Sequence, residues 1–275
     1  VMSGTTQLSI LTCLVAVSLC QAAPLRIWVV GDETVIGNAT LGRSARDLLR
    51  DLLRTDGVDF EYTGGLTDEV GLAHDGHSTY TITEMRYGKA CNITKGCRLI
   101  DWAPTEWDIS IVVLGMWDCI QVQDAYVIIK DHGDSLERIV TFLRGAEMRT
   151  ISGGRLEGGS AEYTPGAAFG KNKKVILNTL PPHRDPDVNS RIEEFNEHIK
   201  YVFGDLFNTP EDGDTPNTVV DLHSVMDMYK DTARDGKNAL MWIPNAEGQR
   251  KMAFAWYEAI TAYLKEKADN DRSEL

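Results

Sequence analysis

A doubly wound α/β domain, with a parallel sheet between two layers of helices, is the fold class that this sequence predicts. Three observations carry the prediction. Strand-like apolar runs alternate with helix-like periodicity along most of the chain. The strongest runs, "LRIWVVG" and "WDISIVVLG", are continuously apolar, as strands buried on both faces require. Each leads into a turn of small and polar residues, where such sheets place their ligand sites.

The elements follow in order. Leu25 to Gly31 reads as the first strand. Ala45, Leu48, Leu49, Leu52 and Leu53 then recur at helical spacing, with the charges of "RDLLRDLLR" on the outer face. "VDFEYTG" is a second strand, Trp107 to Gly115 the central one, and a helical stretch is expected over residues 121–147. The segment from Ser152 to Lys171 is glycine-rich without a period, which reads as a loop or insertion over the surface. "KVILNTLPP" is the fourth strand, stopped by Pro181 and Pro182. A helix over 187–203, a short strand "TVVDLH" and a final helix from Glu247 to Lys267 complete the pattern. That last helix should pack through Met252, Trp256, Ile260, Tyr263 and Leu264. No internal repeat or composition shift is visible, so residues 24–275 are expected to form one domain.

The chain has 275 residues, 43% of them hydrophobic, enough for a sizeable core. Its 41 acidic against 28 basic residues give a net charge of -13, which argues against nucleic acid or an anionic membrane surface as partner. Near the N-terminus an apolar run, "LSILTCLVAVSL", precedes "CQAAP", whose small residues suit signal cleavage after Ala22 or Ala23. Residues 1–23 are therefore expected to be a signal peptide and the mature protein to be secreted. The run is shorter than the roughly 18 to 20 residues of a spanning helix. The terminal "RSEL" resembles an ER-retention signal too loosely to be read as one.

Cysteine usage agrees with export. Cys91 and Cys97 close the short loop "CNITKGC", a candidate disulfide, while Cys119 is left over and could replace either partner. Asn38 and Asn92 lie in glycosylation sequons. No second cysteine pair or close histidine pair accompanies these cysteines, and neither a zinc site nor another cofactor is expected.

The residues after each strand are the ones to inspect for chemistry. They include Gly31, Asp32, Glu33 and Thr34, then "HDGHSTY", "GMWD", "NTLPPHRD", "DLHS" and "WIPNAEGQRKMA". Five segments, "LRIWVVGDETVIG", "AHDGHSTYTI", "WDISIVVLGMWD", "VILNTLPP" and "WIPNAEGQRKMA", resemble in order and spacing the motif blocks of SGNH (GDSL-type) hydrolases. The nearest branch is that of acetyl xylan esterase-like carbohydrate esterases, whose blocks read approximately G-D-S, E-G-H-x-G-W, G-T-N-D and D-x-x-H-P-N. The resemblance spans Leu25 to Leu264 and implies a flavodoxin-like three-layer α/β/α sheet, the SGNH hydrolase fold. It also implies a cleft built around Gly31, Asp32, Glu33, Gly76, His77, Gly115, Asp118, Pro244 and Asn245.

The framework matches and the chemistry does not. The nucleophile's position in the first block is held by Glu33, and the oxyanion-donating Asn by Trp117. Leu240 and Ile243 stand where the family has its Asp and His, and Thr79 replaces the second-block Gly. A serine esterase needs an activated hydroxyl and donors aimed at the developing oxyanion. Loss of nucleophile or base alone costs on the order of 10^6 in turnover in a comparable serine hydrolase. The resemblance therefore implies a protein inactive as a serine esterase, with Glu33 turned into the old oxyanion hole against the backbone amides of Gly76 and Glu33.

Three functions compete for these residues. The first is binding of a carbohydrate or acylated glycan by a monomer, with Tyr80, Trp117 and Trp242 as candidate platforms. The second is a relocated esterase drawing on Thr34, Ser78 or Ser224 with His77, His183 or His223. The third is a metal site from Asp32, Glu33, Asp118, His183 and Asp221, against which stands the absence of any close-spaced ligand motif.

Overall fold

The computed structural model describes residues 23–37, 43–88, 98–144, 173–206, 216–234 and 242–273. Several expectations lie outside these residues: the signal peptide through residue 22, the sequons at Asn38 and Asn92, the Cys91–Cys97 pair, the glycine-rich segment and Leu240. Among the described residues no helix is long and apolar enough to cross a membrane.

The first strand, β1 (Leu25–Gly31), runs through four fully buried residues, Ile27 to Val30, and ends at a short helix α1 (Glu33–Ile36). Helix α2 (Ala45–Thr55) starts where Ser44 caps the Asp47 amide, and it buries Ala45, Leu49 and Leu53 as the periodicity predicts. β2 (Phe60–Thr63) returns beside the first half of β1. A hairpin of β3 (Leu66–Thr67) and β4 (Ala73–Gly76) follows, and β4 pairs with the last residues of β1. No hydrophobic period marks this hairpin, because polar contacts make its turn: the Asp68 carboxylate accepts the amides of Val70 and Leu72.

Two short helices, α3 (Ile82–Tyr87) and α4 (Leu99–Trp102), lead to β5 (Ile109–Val113), buried throughout. The helical stretch expected over 121–147 starts earlier and is interrupted. It consists of α5 (Met116–Gln121), α6 (Ala125–Val127), a π-helical turn (Ile128–His132) and α7 (Gly133–Leu143). The early start follows from Gly115, whose φ of 123° turns the chain straight from strand to helix; an added Cβ there would meet Phe195 at 2.7 Å. The interruption follows from Val122, which is extended, and from Asp124, which caps a new helix through the Tyr126 amide. The remaining elements are β6 (Lys174–Asn178), α8 (Pro186–Ile199) with a π-helical extension (Lys200–Leu206), β7 (Thr218–Val220) and α9 (Leu222–Val225). An antiparallel pair, β8 (Thr232–Arg234) and β9 (Trp242–Pro244), precedes the long α10 (Ala246–Ser273).

The sheet order is β3-β4-β1-β5-β6-β7, with β2 also on β1, and every pairing in it except β3–β4 is parallel. Strand order reverses between β1 and β5. Right-handed crossovers therefore send α2 to one face and the helices after β5 to the other. The core lies in these layers, where Trp28, Trp107 and Phe142 form a ring cluster with Trp28 and Trp107 centroids 5.0 Å apart. Each fully buried tryptophan has a partner for its N–H: Trp28 donates to Asp75, Trp107 to the Leu143 carbonyl and Trp256 to Asn178. Met252, Trp256 and Ile260 of α10 are buried, and Tyr263 and Leu264 pack partly buried against the core.

One buried charge holds the first turn in place. Arg46 on α2 is fully buried and donates to the Val35 carbonyl at 2.7 Å and to Asp68 at 2.7 Å. It thus ties the end of α1 to the β3–β4 turn, so the residues after β1 have a fixed backbone before any function is considered.

Candidate functional site

The C-terminal ends of β1 and β5 meet at the switch point, where an open α/β sheet forms a crevice. Asp32 sits there, fully buried, and joins the two turns. One carboxylate oxygen accepts the Thr34 amide at 3.0 Å, the other the Met116 amide at 3.1 Å. Burial, and then the neighbouring Glu33, push its pKa up to about 7. Gly31 and Gly76 pair across β1 and β4, and the Gly31 carbonyl accepts the His77 amide at 2.8 Å.

Glu33 is 5% exposed and points inward. Its Oε1 accepts the Ser78 hydroxyl at 2.6 Å and the Thr79 backbone N–H at 2.6 Å; Oε2 is buried without a hydrogen-bond partner. The expectation named the amides of Gly76 and Glu33 as donors; the amide that bonds Oε1 is that of Thr79. The Gly76 amide goes instead to Nδ1 of His74, whose imidazole burial and Arg46 hold down to about 4. Thr79 occupies the position of the second-block glycine and keeps a left-handed conformation, φ 61°, the one non-glycine among the described residues to do so. The Thr79 amide thus points into the crevice, and the Glu33 carboxylate occupies it.

The other predicted residues are structurally committed. Asp118 is fully buried, accepts the Ile82 amide at 3.1 Å and bonds His132 Nδ1. That bond raises the His132 pKa, and burial raises that of Asp118. His132 had no motif to announce it; it lies in the π-helical turn, a local irregularity that sequence periodicity does not register. Ile243 is buried in β9 opposite Ala233, with Pro244 buried beside it. Asn245 caps α10, accepting the Glu247 and Gly248 amides at 3.0 and 3.2 Å.

The aromatic candidates are packed. His77 stacks on Trp102 with centroids 3.9 Å apart and Tyr80 meets both edges of this pair. Trp117 packs half-buried on the core, and Arg184 lies 4.3 Å over the Trp242 ring. Arg184, which no motif indicated, also donates to the carbonyls of Met228, Tyr229 and Thr232 and so pins the β8 approach to the β6–α8 loop. Cys119 is buried and free, which removes it as a disulfide partner.

The relocated-triad candidates do not assemble. Ser224 donates to the Asp221 carbonyl, His183 Nδ1 accepts the Asp185 amide, and His77 Nε2 stands 3.7 Å from Asp75. Neither Ser78 nor Ser224 bonds an imidazole, and Thr34 is buried. The metal candidates are dispersed too: Asp221 caps α9 and pairs with Lys200 at 2.9 Å. Among the described residues no three His, Cys, Asp or Glu side chains converge as a metal site.

Three solved structures are similar to this chain. A serine-to-alanine mutant of an acetyl esterase with an acetate ion aligns at TM-score 0.54 and 16% identity, over 88% of this chain and 99% of that one. A carbohydrate esterase family 3 protein from Talaromyces cellulolyticus aligns at TM-score 0.55 and 16% identity, over the same 88% and 99%. A member of the lipolytic G-D-S-L family from Veillonella parvula aligns at TM-score 0.48 and 17% identity, over 86% and 98%. Neither a protein-family model nor a curated protein matches the sequence. At these identities the likeness shows the fold alone, and the first two structures, with TM-scores above 0.5, carry it: the chain has the three-layer α/β fold of the SGNH hydrolases, with the mostly parallel sheet that the sequence predicts.

Two predictions follow from this geometry. Glycine relieves the left-handed strain at position 79 without removing the amide, so Thr79→Gly should raise stability by about 0.5–1 kcal/mol. Urea unfolding measures this, and an unchanged or lower midpoint would contradict the assigned backbone.

The second concerns pH. Asp32 keeps its proton in the folded state, so its contribution to stability falls as pH rises from about 4 to about 7. His74, held neutral, acts oppositely from about 4 to its ordinary 6.5. The stability from the raised His132 is complete below 6.5 and is lost as pH rises through its folded pKa. Above 6.5 the falling contributions of Asp32 and His132 remain unopposed by His74. The melting temperature should therefore be lower at about pH 8 than at about pH 6.5, with a smaller difference in His132→Gln. A melting temperature that rises over this interval would refute the assignment.

Proposed function

We propose that this is a secreted protein of the SGNH hydrolase fold that does not work as a serine esterase and acts by binding a carbohydrate or acylated glycan. One observation carries the loss of chemistry: the Glu33 carboxylate stands at the nucleophile's position and takes the Thr79 amide. An uncharged ester carbonyl could take that amide only if the buried carboxylate gave it up and kept the Ser78 hydroxyl as its one donor, which costs more than the carbonyl's hydrogen bond returns. With Ile243 at the base position, no group there accepts a proton. Carbohydrate as ligand is supported by the carbohydrate-esterase neighbour and by the motif resemblance, and secretion by the apolar run and small residues before Leu25.

A second reading, a hydrolase with a relocated nucleophile, draws on the Ser78 hydroxyl, which donates to Glu33 at 2.6 Å. It lacks a histidine on that hydroxyl and a free oxyanion donor, because Glu33 already holds the Thr79 amide.

A fluorophosphonate probe and an aryl acetate assay, run with and without chelator, should give neither labelling nor turnover. Labelling at Ser78 would establish the second reading, and chelator-sensitive turnover would establish a metal site. Glu33→Ser should also remain inactive, because the base is still missing. Esterase activity in that single variant would mean that Leu240 and Ile243 have been misassigned to the Asp and His positions.

A further inference from the structure

The loops that follow β5 and β6 enclose an open cleft of about 860 Å³, within the range of roughly 300–1,000 Å³ typical of ligand sites. It lies past the end of α5, between the α5–α6 turn and the first turns of α8, and includes neither Glu33 nor Thr79. We propose that this cleft, rather than the filled nucleophile position, holds the ligand, and that the ligand is an uncharged oligosaccharide. The proposal rests on the carbohydrate reading above and gives it a location and a chemical class.

The lining decides the class. Gln121 and Gln123 on one wall are exposed, and their side chains make no hydrogen bond among the described residues, so each presents both an amide donor and a carbonyl acceptor, the pair that vicinal sugar hydroxyls match. On the other wall Arg191 is oriented by its bond to the Cys119 carbonyl at 2.8 Å. Asp124 and Asp185 are fixed by backbone amides, of Tyr126 and of Asp187 and Val188. These are oriented polar groups on a rigid frame. Four carboxylates, those of Asp124, Asp185, Asp187 and Glu194, face one arginine, so uronic, sulfated and phosphorylated glycans are repelled while neutral hydroxyls find acceptors. Next to this lining stands Tyr126, 67% exposed, an aromatic face beside a polar cleft. None of the aromatics expected from the sequence is as accessible.

Isothermal titration of the intact protein with xylohexaose, cellohexaose and mannohexaose, and with an oligogalacturonate of equal length, tests this. At least one neutral hexasaccharide should bind, the acidic one about tenfold more weakly or not at all. The double variant Gln123→Ala with Tyr126→Ala changes only exposed side chains and should lose about tenfold in affinity, while Tyr201→Ala, exposed outside the cleft, should not. Neutral binding that survives the double variant would overturn the cleft and leave the carbohydrate reading standing. Equal or tighter binding of the oligogalacturonate would overturn the chemical class. Failure of all four sugars to bind the unaltered protein would overturn the carbohydrate reading itself.

Discussion

The carboxylate of Asp32 is the constraint on which the rest of the site depends. It is fully buried and bonds first-turn amides of two helices, one after β1 and one after β5. Those strands flank the point where the sheet reverses direction, so a single side chain sets the spacing of both walls of the crevice. An uncompensated charge there would be costly, which is why its pKa is drawn up toward neutrality and why both oxygens are used. Arg46 performs the same service behind α1, and Asp118 with His132 does so beneath α3.

On the reading proposed above, this division of labour would let a catalytic framework outlast its chemistry. The residues that match the motif blocks, Gly31, Asp32, Gly76, Gly115 and Asp118, are those whose atoms shape the backbone or satisfy buried amides. The positions that differ, Glu33, Trp117 and Ile243, are those whose side chains would otherwise face substrate. Loss of a backbone partner threatens folding, whereas loss of a nucleophile threatens only turnover, so the two sets can change independently.

Much of the fold was legible because its signals are local. The continuous apolar runs of β1, β5 and β6 and the 3.6-residue pattern of α2 specify buried parallel strands and covering helices directly. What escaped was built from single polar contacts. The β3–β4 hairpin depends on the Asp68 side chain in its turn, and α5 begins early because Gly115 adopts a conformation that periodicity does not encode. In the site, Glu33 at the nucleophile position could be read from the sequence, but its partner could not. That the Thr79 amide survives requires a threonine to hold a left-handed backbone, a choice made by tertiary context against local preference. Arg184 was missed because its partners lie far away in sequence, and His132 because it stands in a π-helical turn that periodicity does not register.

The position of Glu33 also bears on energetics. A working oxyanion hole keeps donors oriented and unfilled until charge develops in the transition state, and the ground state bears the cost of that readiness. Here Oε1 satisfies both the Thr79 amide and the Ser78 hydroxyl in the resting protein, so that cost is removed at the point where catalysis would need it. The exchange is incomplete, because Thr79 retains its strained backbone and Oε2 has no donor. The hydrogen bond to Glu33 does not by itself account for the left-handed turn at Thr79. Its persistence is most simply explained by the neighbouring contacts of the same turn, His77 on Gly31 and on Trp102, which fix the rim of the crevice whether or not any ester is ever cleaved there.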